Sequence, residues 1–170
     1  MAGAADRRKL RIKPTAWGIE PGTRHISESH VNKAKADCCV LRIDGASRGN
    51  PGPAAAAAVL EQPGKPVVMF GEQLGRQTNN YAEYRALLLG LTRAAAIGIS
   101  SISVFSDSEL LVKQMRGEYR VKNPGIAKLK AEADTIVAGF SSFQIAHVRR
   151  EENKEADRVA NDVLDGKFRP

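Results

Sequence analysis

From residue 38 onward, apolar residues follow spacings that predict a series of strands and helices. Residues 38–44, CCVLRID, have the apolar and β-branched content of a strand. Residues 54–61 and 66–74 predict two further strands joined by the turn sequence QPGK. The five alanines at 54–58 alone favour a helix. Because they lie between a Gly/Pro loop and a hairpin turn, we assign them to a strand packed closely under a helix.

The second half of the chain alternates between helical and strand spacing. Four segments have the apolar spacing of helices: 79–98, 107–118, 123–140 and 152–166. Thr78 or Asn79 is a suitable cap for the first of them, and Ser106 or Asp107 for the second. Two segments have the composition of strands: 101–106 and 143–148. The order β-β-β-α-β-α-α-β-α predicts an α/β fold with a mixed sheet covered by helices.

Residues 1–37 show neither spacing and differ in composition from the rest. They contain eight Lys or Arg and four Asp or Glu, and so carry four of the seven net positive charges. We interpret them as a basic N-terminal extension, irregular or disordered. After this extension we expect one domain over residues 38–166 and a short tail at 167–170. The basic run at 7–13, RRKLRIK, leads to the hypothesis that the extension contacts nucleic-acid phosphates.

Charge and cysteine content restrict the partner and the environment. A net charge of +7 and a pI near 9.6 favour an anionic partner, with nucleic acid first among the candidates. Cys38 and Cys39 are adjacent in a predicted strand, so we expect no disulfide between them and a reducing intracellular compartment. The sequence has no apolar run of about 18 residues and no recognisable secretory signal, so we expect no membrane association.

Four carboxylates lie where predicted elements begin, end or face inward. Asp44 ends the first strand, Glu83 lies in the first turn of its helix, Asp107 ends the fourth strand, and Asp157 lies in the last helix. Each has an ordinary structural explanation as a turn former, a favourable charge at a helix N-terminus, a helix cap or part of a solvated helix face. These structural explanations account less easily for the occurrence of all four acids at such positions in one chain.

The strand order allows two of these acids to meet. If the first and fourth strands lie side by side and parallel, Asp44 and Asp107 emerge together at the edge where sites form in open α/β sheets. Clustered carboxylates repel one another unless hard cations neutralise them. Convergence of the acids therefore predicts bound Mg²⁺ or Mn²⁺, and two such ions about 4 Å apart suit phosphodiester hydrolysis.

Four motifs together resemble a known family. They are IDGASRGNPGPAAAAAVL, TNNYAEYRALLLGL, VFSDSELLVKQMRGEYRVKNP and HVRREENKEADRVAN. In this order and spacing they resemble type 1 ribonuclease H over roughly residues 38–166. The resemblance implies a mixed five-stranded sheet, three antiparallel strands followed by two parallel ones, flanked by helices. It also implies an endoribonuclease that uses two Mg²⁺ ions, with Mn²⁺ as a substitute. Such an enzyme cuts the RNA strand of RNA–DNA hybrids and leaves a 3′-hydroxyl and a 5′-phosphate. We expect the protein to be monomeric.

The resemblance assigns roles by position. The catalytic, metal-binding acids would be Asp44, Glu83, Asp107 and Asp157. Asp44 would bridge both ions, and Glu83 would also meet the ribose 2′-hydroxyl, which DNA lacks. Substrate-binding roles fall on six further residues: Asn50, Asn79 and Asn80 in the minor groove, Arg76 and Thr78 near the phosphate pocket for the DNA strand, and Glu109. The small residues of GASRGNPGP would then admit the hybrid.

The sequence departs from the best-known members in three ways. Its connection RREEN lacks their loop histidine, so Arg149, Arg150, Glu151 or Glu152 is the candidate to act instead. His147 lies in a predicted strand and is interpreted as a structural residue. Second, Glu109 stands where many members have glutamine. Third, the segment GEYRVK is too short for the basic handle with which some members grip substrate.

Two alternatives to this function stay open at the sequence level. One is a catalytically weak or inactive nucleic-acid-binding or scaffold protein that has kept the fold. Retention of all four acids argues against it. The other is a DNA-directed nuclease or an integrase-like enzyme built on the same sheet. The motifs TNNYAE and DGASRGNPGP favour the ribonuclease.

Overall fold

The computed structural model describes residues 38–169, so the predicted N-terminal extension lies outside the described residues. The strands are β1 (Cys39–Ser47), β2 (Gly52–Glu61), β3 (Val68–Gln77), β4 (Ser101–Ser106) and β5 (Ser142–His147). The helices are α1 (Asn79–Ala96), α2 (Glu109–Met115), α3 (Pro124–Val137) and α4 (Lys154–Leu164), and a 3₁₀ turn at Arg150–Glu152 precedes α4.

The strands form one mixed sheet in the order β3-β2-β1-β4-β5. β1 pairs antiparallel with β2, and β2 pairs antiparallel with β3. β1 pairs parallel with β4, and β4 pairs parallel with β5. The α/β fold with a five-stranded mixed sheet is therefore confirmed, as is the parallel placement of the first and fourth strands.

The alanine run forms the middle of β2 and is buried on both faces of the sheet. Ala56 and Ala58 lie in the larger core, together with residues of α1, α2 and α3. Ala55 and Ala57 lie in a second core, formed with residues of α4. Small side chains at these positions allow helices to pack closely on both faces. The assignment of this segment to a strand is confirmed. Helices cover both faces of this strand rather than the one face that we expected.

Helix caps decide which polar side chains remain available at the sheet edge. The Thr78 hydroxyl caps α1 by accepting a hydrogen bond from the Tyr81 N–H at 3.3 Å. The predicted caps of α2 are wrong, because Ser108 performs this role by accepting from the Leu111 N–H at 3.4 Å. The carboxylate of Asp107 is therefore not used as a helix cap.

The boundaries of several elements differ from the predicted ones. β2 starts two residues earlier than residue 54, and β3 spans Val68–Gln77 rather than 66–74. Helices α2, α3 and α4 are each shorter than predicted, because turns and caps occupy their ends. In the region assigned to a tail, Phe168 packs against the second core. Cys38 and Cys39 are both free thiols. Among the described residues no helix is long and apolar enough to cross a membrane.

Candidate metal centre and nucleic-acid cleft

Asp44 and Asp107 lie next to each other where the pairing of β1 with β4 stops. The last paired residues of these two strands are Ile43 and Ser106, and each is followed directly by one of the acids. Asp44 does not end its strand as predicted, because β1 continues to Ser47 in partnership with β2 alone. The predicted meeting of the two acids at this sheet edge is confirmed.

Glu83 reaches the same point from α1, which begins at Asn79, so that Glu83 lies just beyond the first helical turn rather than within it. The N–H of Gly45 donates a hydrogen bond to Oε2 of Glu83 at 3.2 Å. A Cβ atom on residue 45 would lie 2.2 Å from the backbone nitrogen of Glu83. Gly45 therefore makes room for α1, not for an approaching nucleic acid, which corrects our interpretation of this glycine.

The three carboxylates form one compact cluster. One oxygen from each of Asp44, Glu83 and Asp107 lies within 4.8 Å of the others. Asp44 and Glu83 are each only 5% exposed. Burial, followed by the charges of Asp107 and Asp157, raises the pKa of Asp44 to about 7. Burial, followed by the charges of Asp44 and Asp107, raises the pKa of Glu83 well above its usual range. Only oxygen ligands converge here, which is the donor set that Mg²⁺ and Mn²⁺ prefer.

Asp157 lies beside this cluster but is paired differently. Its Oδ1 accepts a hydrogen bond from Nη2 of Arg150 at 2.5 Å, and Nδ2 of Asn161 donates to its Oδ2 at 3.2 Å. The three-acid cluster within 4.8 Å does not include it. The structure thus brings three of the four predicted acids together and places the fourth in an ion pair at their margin.

A polar cleft of about 370 Å³ opens over these acids. Its walls include the three clustered acids and also Gly45, Ser47, Arg48, Asn79, Arg150 and Asn161. Arg48 and Arg150 are cationic groups next to an acidic floor, an arrangement that suits an anionic ligand bound together with cations.

Comparisons with known proteins agree with this geometry. A model of the reverse transcriptase-like family matches residues 42–163. Ribonuclease HI of Halobacterium salinarum is 43% identical over 124 residues, which are 72% of this chain and 62% of that protein. The solved structure of ribonuclease H1 from the same archaeon has a TM-score of 0.72, with 75% of this chain and 98% of that chain covered at 40% identity.

The chain belongs to the type 1 ribonuclease H family. A bifunctional protein of Mycobacterium tuberculosis is 41% identical over 128 residues, which are 74% of this chain and 35% of that protein. The chain thus spans about a third of the mycobacterial relative and under two thirds of the archaeal one. A further solved ribonuclease H1, LC11-RNase H1 in complex with an RNA/DNA hybrid, has a TM-score of 0.70. That structure is 32% identical, and the match covers 75% of this chain and 97% of that chain.

Two of the predicted substrate-binding residues, Asn79 and Asn80, begin α1, and a third, Asn50, contacts this helix start. Oδ1 of Asn50 accepts a hydrogen bond from the N–H of Asn79 at 3.2 Å, which joins the β1–β2 loop to the helix. Asn79 also lines the cleft. The side-chain oxygen of Asn80 is buried and has no hydrogen-bond partner among the described residues. The structure therefore joins Asn50 to Asn79, and of the three asparagines it is Asn79 that lines the cleft together with Glu83.

The other predicted substrate-binding residues lie further out. Nη2 of Arg76 donates to the carbonyl of Pro51 at 3.3 Å, and Thr78 serves as the cap of α1. Glu109 is 62% exposed and pairs with Lys113 at 2.6 Å. This pairing lowers the pKa of Glu109, which is therefore an anion at neutral pH. Glu109 does not line the cleft, although the neighbouring Ser108 does.

The short loop before α4 contributes one cation to the cleft. Arg149, Arg150, Glu151 and Glu152 are all described, and of these four Arg150 alone lines the cleft. Oε2 of Glu152 instead accepts from the N–H of Arg149 at 3.1 Å, which closes the turn. His147 is the last residue of β5 and is exposed, so it has no structural role in the core.

Arg48 and Asn153 are among the residues of the site that were not found from the sequence. Arg48 lines the cleft and forms an ion pair with Asp165 at the end of α4, so its position depends on a contact between residues far apart in the chain. Asn153 is completely buried and donates to the Asp107 carboxylate at 3.2 Å. An asparagine at a helix start reads as an ordinary cap, so the sequence alone carried no signal for its contact with Asp107.

Proposed function

We propose that the chain is a metal-dependent endoribonuclease that hydrolyses the RNA strand of RNA–DNA hybrids with two Mg²⁺ ions, for which Mn²⁺ substitutes. The proposed products carry a 3′-hydroxyl and a 5′-phosphate. The observation that carries the proposal is the cluster of Asp44, Glu83 and Asp107, with oxygens within 4.8 Å of one another on a polar cleft. The similarity of this chain to LC11-RNase H1, whose solved structure contains an RNA/DNA hybrid, supports the choice of substrate.

The clustered acids are the residues that would hold the metal ions. Burial and the charges of the neighbouring acids raise the pKa of Asp44 to about 7. Bound cations would take the place of protons and offset the repulsion between the carboxylates. Divalent ions bound there would supply an activated water and would stabilise the leaving oxygen of the phosphodiester. For Asp157 to join as a fourth ligand, an ion would have to compete with Arg150 for the charge of its carboxylate.

Residues around Glu83 would distinguish RNA from DNA. Oδ1 of Asn50 accepts from the backbone N–H of Asn79, which lines the cleft. In this proposal the side-chain NH₂ groups of these two asparagines donate to the minor-groove edge of a hybrid. In this proposal Glu83 contacts the 2′-hydroxyl at the cleaved position. Arg76 and Thr78 would bind the phosphates of the DNA strand, and Asn80 would supply a further groove contact.

Arg150 is our candidate for the function of the missing loop histidine. Its guanidinium is at the cleft and its side chain is 73% exposed, so it can reach a phosphate without first leaving the core. An arginine does not exchange protons near neutral pH. We therefore propose that Arg150 neutralises charge on the cleaved phosphate and assists release of the product, rather than transferring a proton.

A cleavage assay with matched substrates tests this function. The full chain is incubated with end-labelled RNA–DNA hybrid, double-stranded RNA and double-stranded DNA, with Mg²⁺, Mn²⁺ or EDTA. We expect cleavage of the RNA in the hybrid only, in either metal and not in EDTA. We expect Asp44→Asn to reduce the rate at least about 10³-fold. Asp134→Asn, which alters an exposed carboxylate on α3, serves as the control and should leave the rate unchanged.

Other outcomes of this assay would point elsewhere. Tight hybrid binding without cleavage in either metal would indicate a nucleic-acid-binding protein, and cleavage of DNA would indicate a different nuclease. Full activity of Asp44→Asn would contradict the site. The ends of the RNA products are then examined with phosphatase and kinase, and we expect a phosphate on the 5′ end of the downstream fragment.

A further inference from the structure

Asn153 occupies the residue position before α4, where asparagine ordinarily caps a helix with its side chain. Here its side chain makes no cap hydrogen bond. Instead, Nδ2 donates to the carbonyl of Ile43 at 2.9 Å and to Oδ1 of Asp107 at 3.2 Å. The side chain therefore does not cap α4 but contacts β1 and the residue after β4, at the point where the pairing of these two strands stops.

The two acceptors of Asn153 stand directly beside two of the clustered acids. The Ile43 carbonyl belongs to the residue before Asp44, and the second acceptor is the Asp107 carboxylate itself. The parallel pairing of β1 with β4 ends at Ile43 and Ser106, so the amide links the two strands where their own pairing stops. The backbone carbonyl of Asn153 also accepts from the N–H of Asp157 at 3.1 Å. A single residue thus contacts three segments that carry acids of the site.

The chemistry of the amide indicates that its donor is the part that matters. Both groups that face the NH₂ are acceptors, so a rotated amide would place its oxygen against two other oxygens. Oδ1 of Asn153 is buried and has no hydrogen-bond partner among the described residues. A polar side chain that is fully buried with half of its hydrogen-bonding capacity unused is costly to keep. Its retention is explained if the two donated hydrogen bonds serve the site.

A neutral donor suits a carboxylate that must also bind a cation. An arginine or lysine at this place would compete with a metal ion for the charge of Asp107, as Arg150 does for Asp157. The amide fixes the direction of the Asp107 carboxylate and leaves its charge available.

We propose that Asn153 is a positioning residue that orients Asp107 relative to Asp44 and thereby sets the affinity of the acid cluster for a divalent ion. This inference rests on the proposed function in one respect only, namely that the cluster binds a metal. It does not depend on the substrate or on cleavage.

The test is calorimetric titration of the metal-free full chain with Mn²⁺, with thermal unfolding measured in parallel. We expect Asn153→Ala to weaken Mn²⁺ binding about tenfold or more, since loss of a partner that orients a ligand typically costs that much affinity. The matched control is Gln114→Ala, which removes another buried amide, one that hydrogen-bonds to the Tyr84 hydroxyl at 3.1 Å. We expect this control to lower the melting temperature but to change Mn²⁺ affinity by less than about twofold.

Unchanged Mn²⁺ affinity in folded Asn153→Ala would overturn the inference, as would an equal loss of affinity in Gln114→Ala. No Mn²⁺ binding by the unaltered protein would overturn it as well. If Asn153→Ala does not fold, Asn153→Ser takes its place, because serine keeps one hydrogen-bond donor in a smaller side chain. We expect Asn153→Ser to lose Mn²⁺ affinity by less than the tenfold expected for alanine, and an unchanged affinity would overturn the inference. Mn²⁺ binding that depends on Asn153 in a protein without hybrid cleavage would refute the proposed function and support this inference.

Discussion

The N–H of Gly45 donates a hydrogen bond to the carboxylate of Glu83 at 3.2 Å, and the two residues approach so closely that no Cβ fits between them. This contact holds the start of α1 against β1 and brings Glu83 to Asp44 and Asp107, which follow the last paired residues of β1 and β4. The absence of a Cβ at residue 45 is therefore a geometric requirement of the acid cluster.

Gly45→Ala is expected to displace α1 from β1 and to disrupt the cluster. The added Cβ would meet backbone atoms of Ala82 and Glu83 at 2.2–2.6 Å, and backbone cannot move aside as a flexible side chain can. We expect a loss of about 1–3 kcal/mol in the free energy of unfolding, typical of overpacking. We also expect at least a tenfold loss of Mn²⁺ affinity. Urea unfolding and calorimetric titration measure the two effects.

Gly64→Ala is the control for this substitution. Gly64 has a φ of 70° and open space around its Cβ position, so an alanine there is strained without meeting a neighbour. We expect a loss of about 1 kcal/mol in stability with unchanged Mn²⁺ affinity. If Gly45→Ala kept full metal affinity, the contact would not be needed to place Glu83.

Much of this fold and part of the site could be predicted from local pattern. The strand after residue 38 and the β-β-β-α-β order allow Asp44 to lie next to Asp107, on the condition that the first and fourth strands are parallel neighbours, which the structure confirms. The caps of α2 could not be predicted, since Ser106, Asp107 and Ser108 are all good cap residues. The geometry of the chain beyond β4 selects Ser108.

Contacts between distant residues account for the rest. From the sequence alone Gly45 is interpreted as a loop glycine, whereas in the structure α1 lies against it. Asn153 is likewise interpreted as a helix cap, whereas its amide hydrogen-bonds to Asp107. The pairing of Asp157 with Arg150 likewise depends on how the loop folds before α4. Each is set by tertiary packing, on which the spacing of residues along the chain carries no information.

The stability of the metal-free protein should depend on pH through Asp44. The pKa of this carboxyl rises from 3.8 to about 7 on folding, so between these values the folded state binds the additional proton. Stability therefore falls as pH rises through this range. We expect Asp44→Asn to match the unaltered protein at about pH 4 and to exceed it at pH 8 by a few kcal/mol, roughly 4 at most.

Urea unfolding in EDTA at the two pH values measures this difference. Other carboxyls also titrate in this range, so the comparison between Asp44→Asn and the unaltered protein removes their shared contribution and reports Asp44 together with its coupling to Glu83, whose pKa the charge of Asp44 raises. Asp134→Asn should show no such pH-dependent gain. A gain of the same size at both pH values would show that the removed carboxylate is not under electrostatic strain.

Arg150→Gln should change catalysis and metal binding in opposite directions. Removal of the guanidinium takes a cation away from the cleft and is expected to lower kcat for hybrid cleavage about tenfold or more. It also releases Asp157 from its ion pair, so we expect Mn²⁺ to bind more tightly. Arg149→Gln alters an arginine of the same loop that does not line the cleft, and should change either quantity less than about threefold. Equal effects of the two substitutions would show that only the net charge of the loop matters.

Deletion of residues 1–37 should reduce the salt dependence of hybrid binding. This segment carries four of the seven net positive charges, and its basic run at 7–13 contains five Lys or Arg. Each phosphate contact that it makes contributes about 0.7–0.9 to the slope of log affinity against log salt concentration. The measurement uses the Asp44→Asn variant, which should bind the hybrid without cleaving it. We expect the deletion to reduce the magnitude of this slope by about 2–4. Substitution of the five basic residues by glutamine should reproduce most of the loss. An unchanged slope after deletion would show that the phosphates are bound by the folded domain alone.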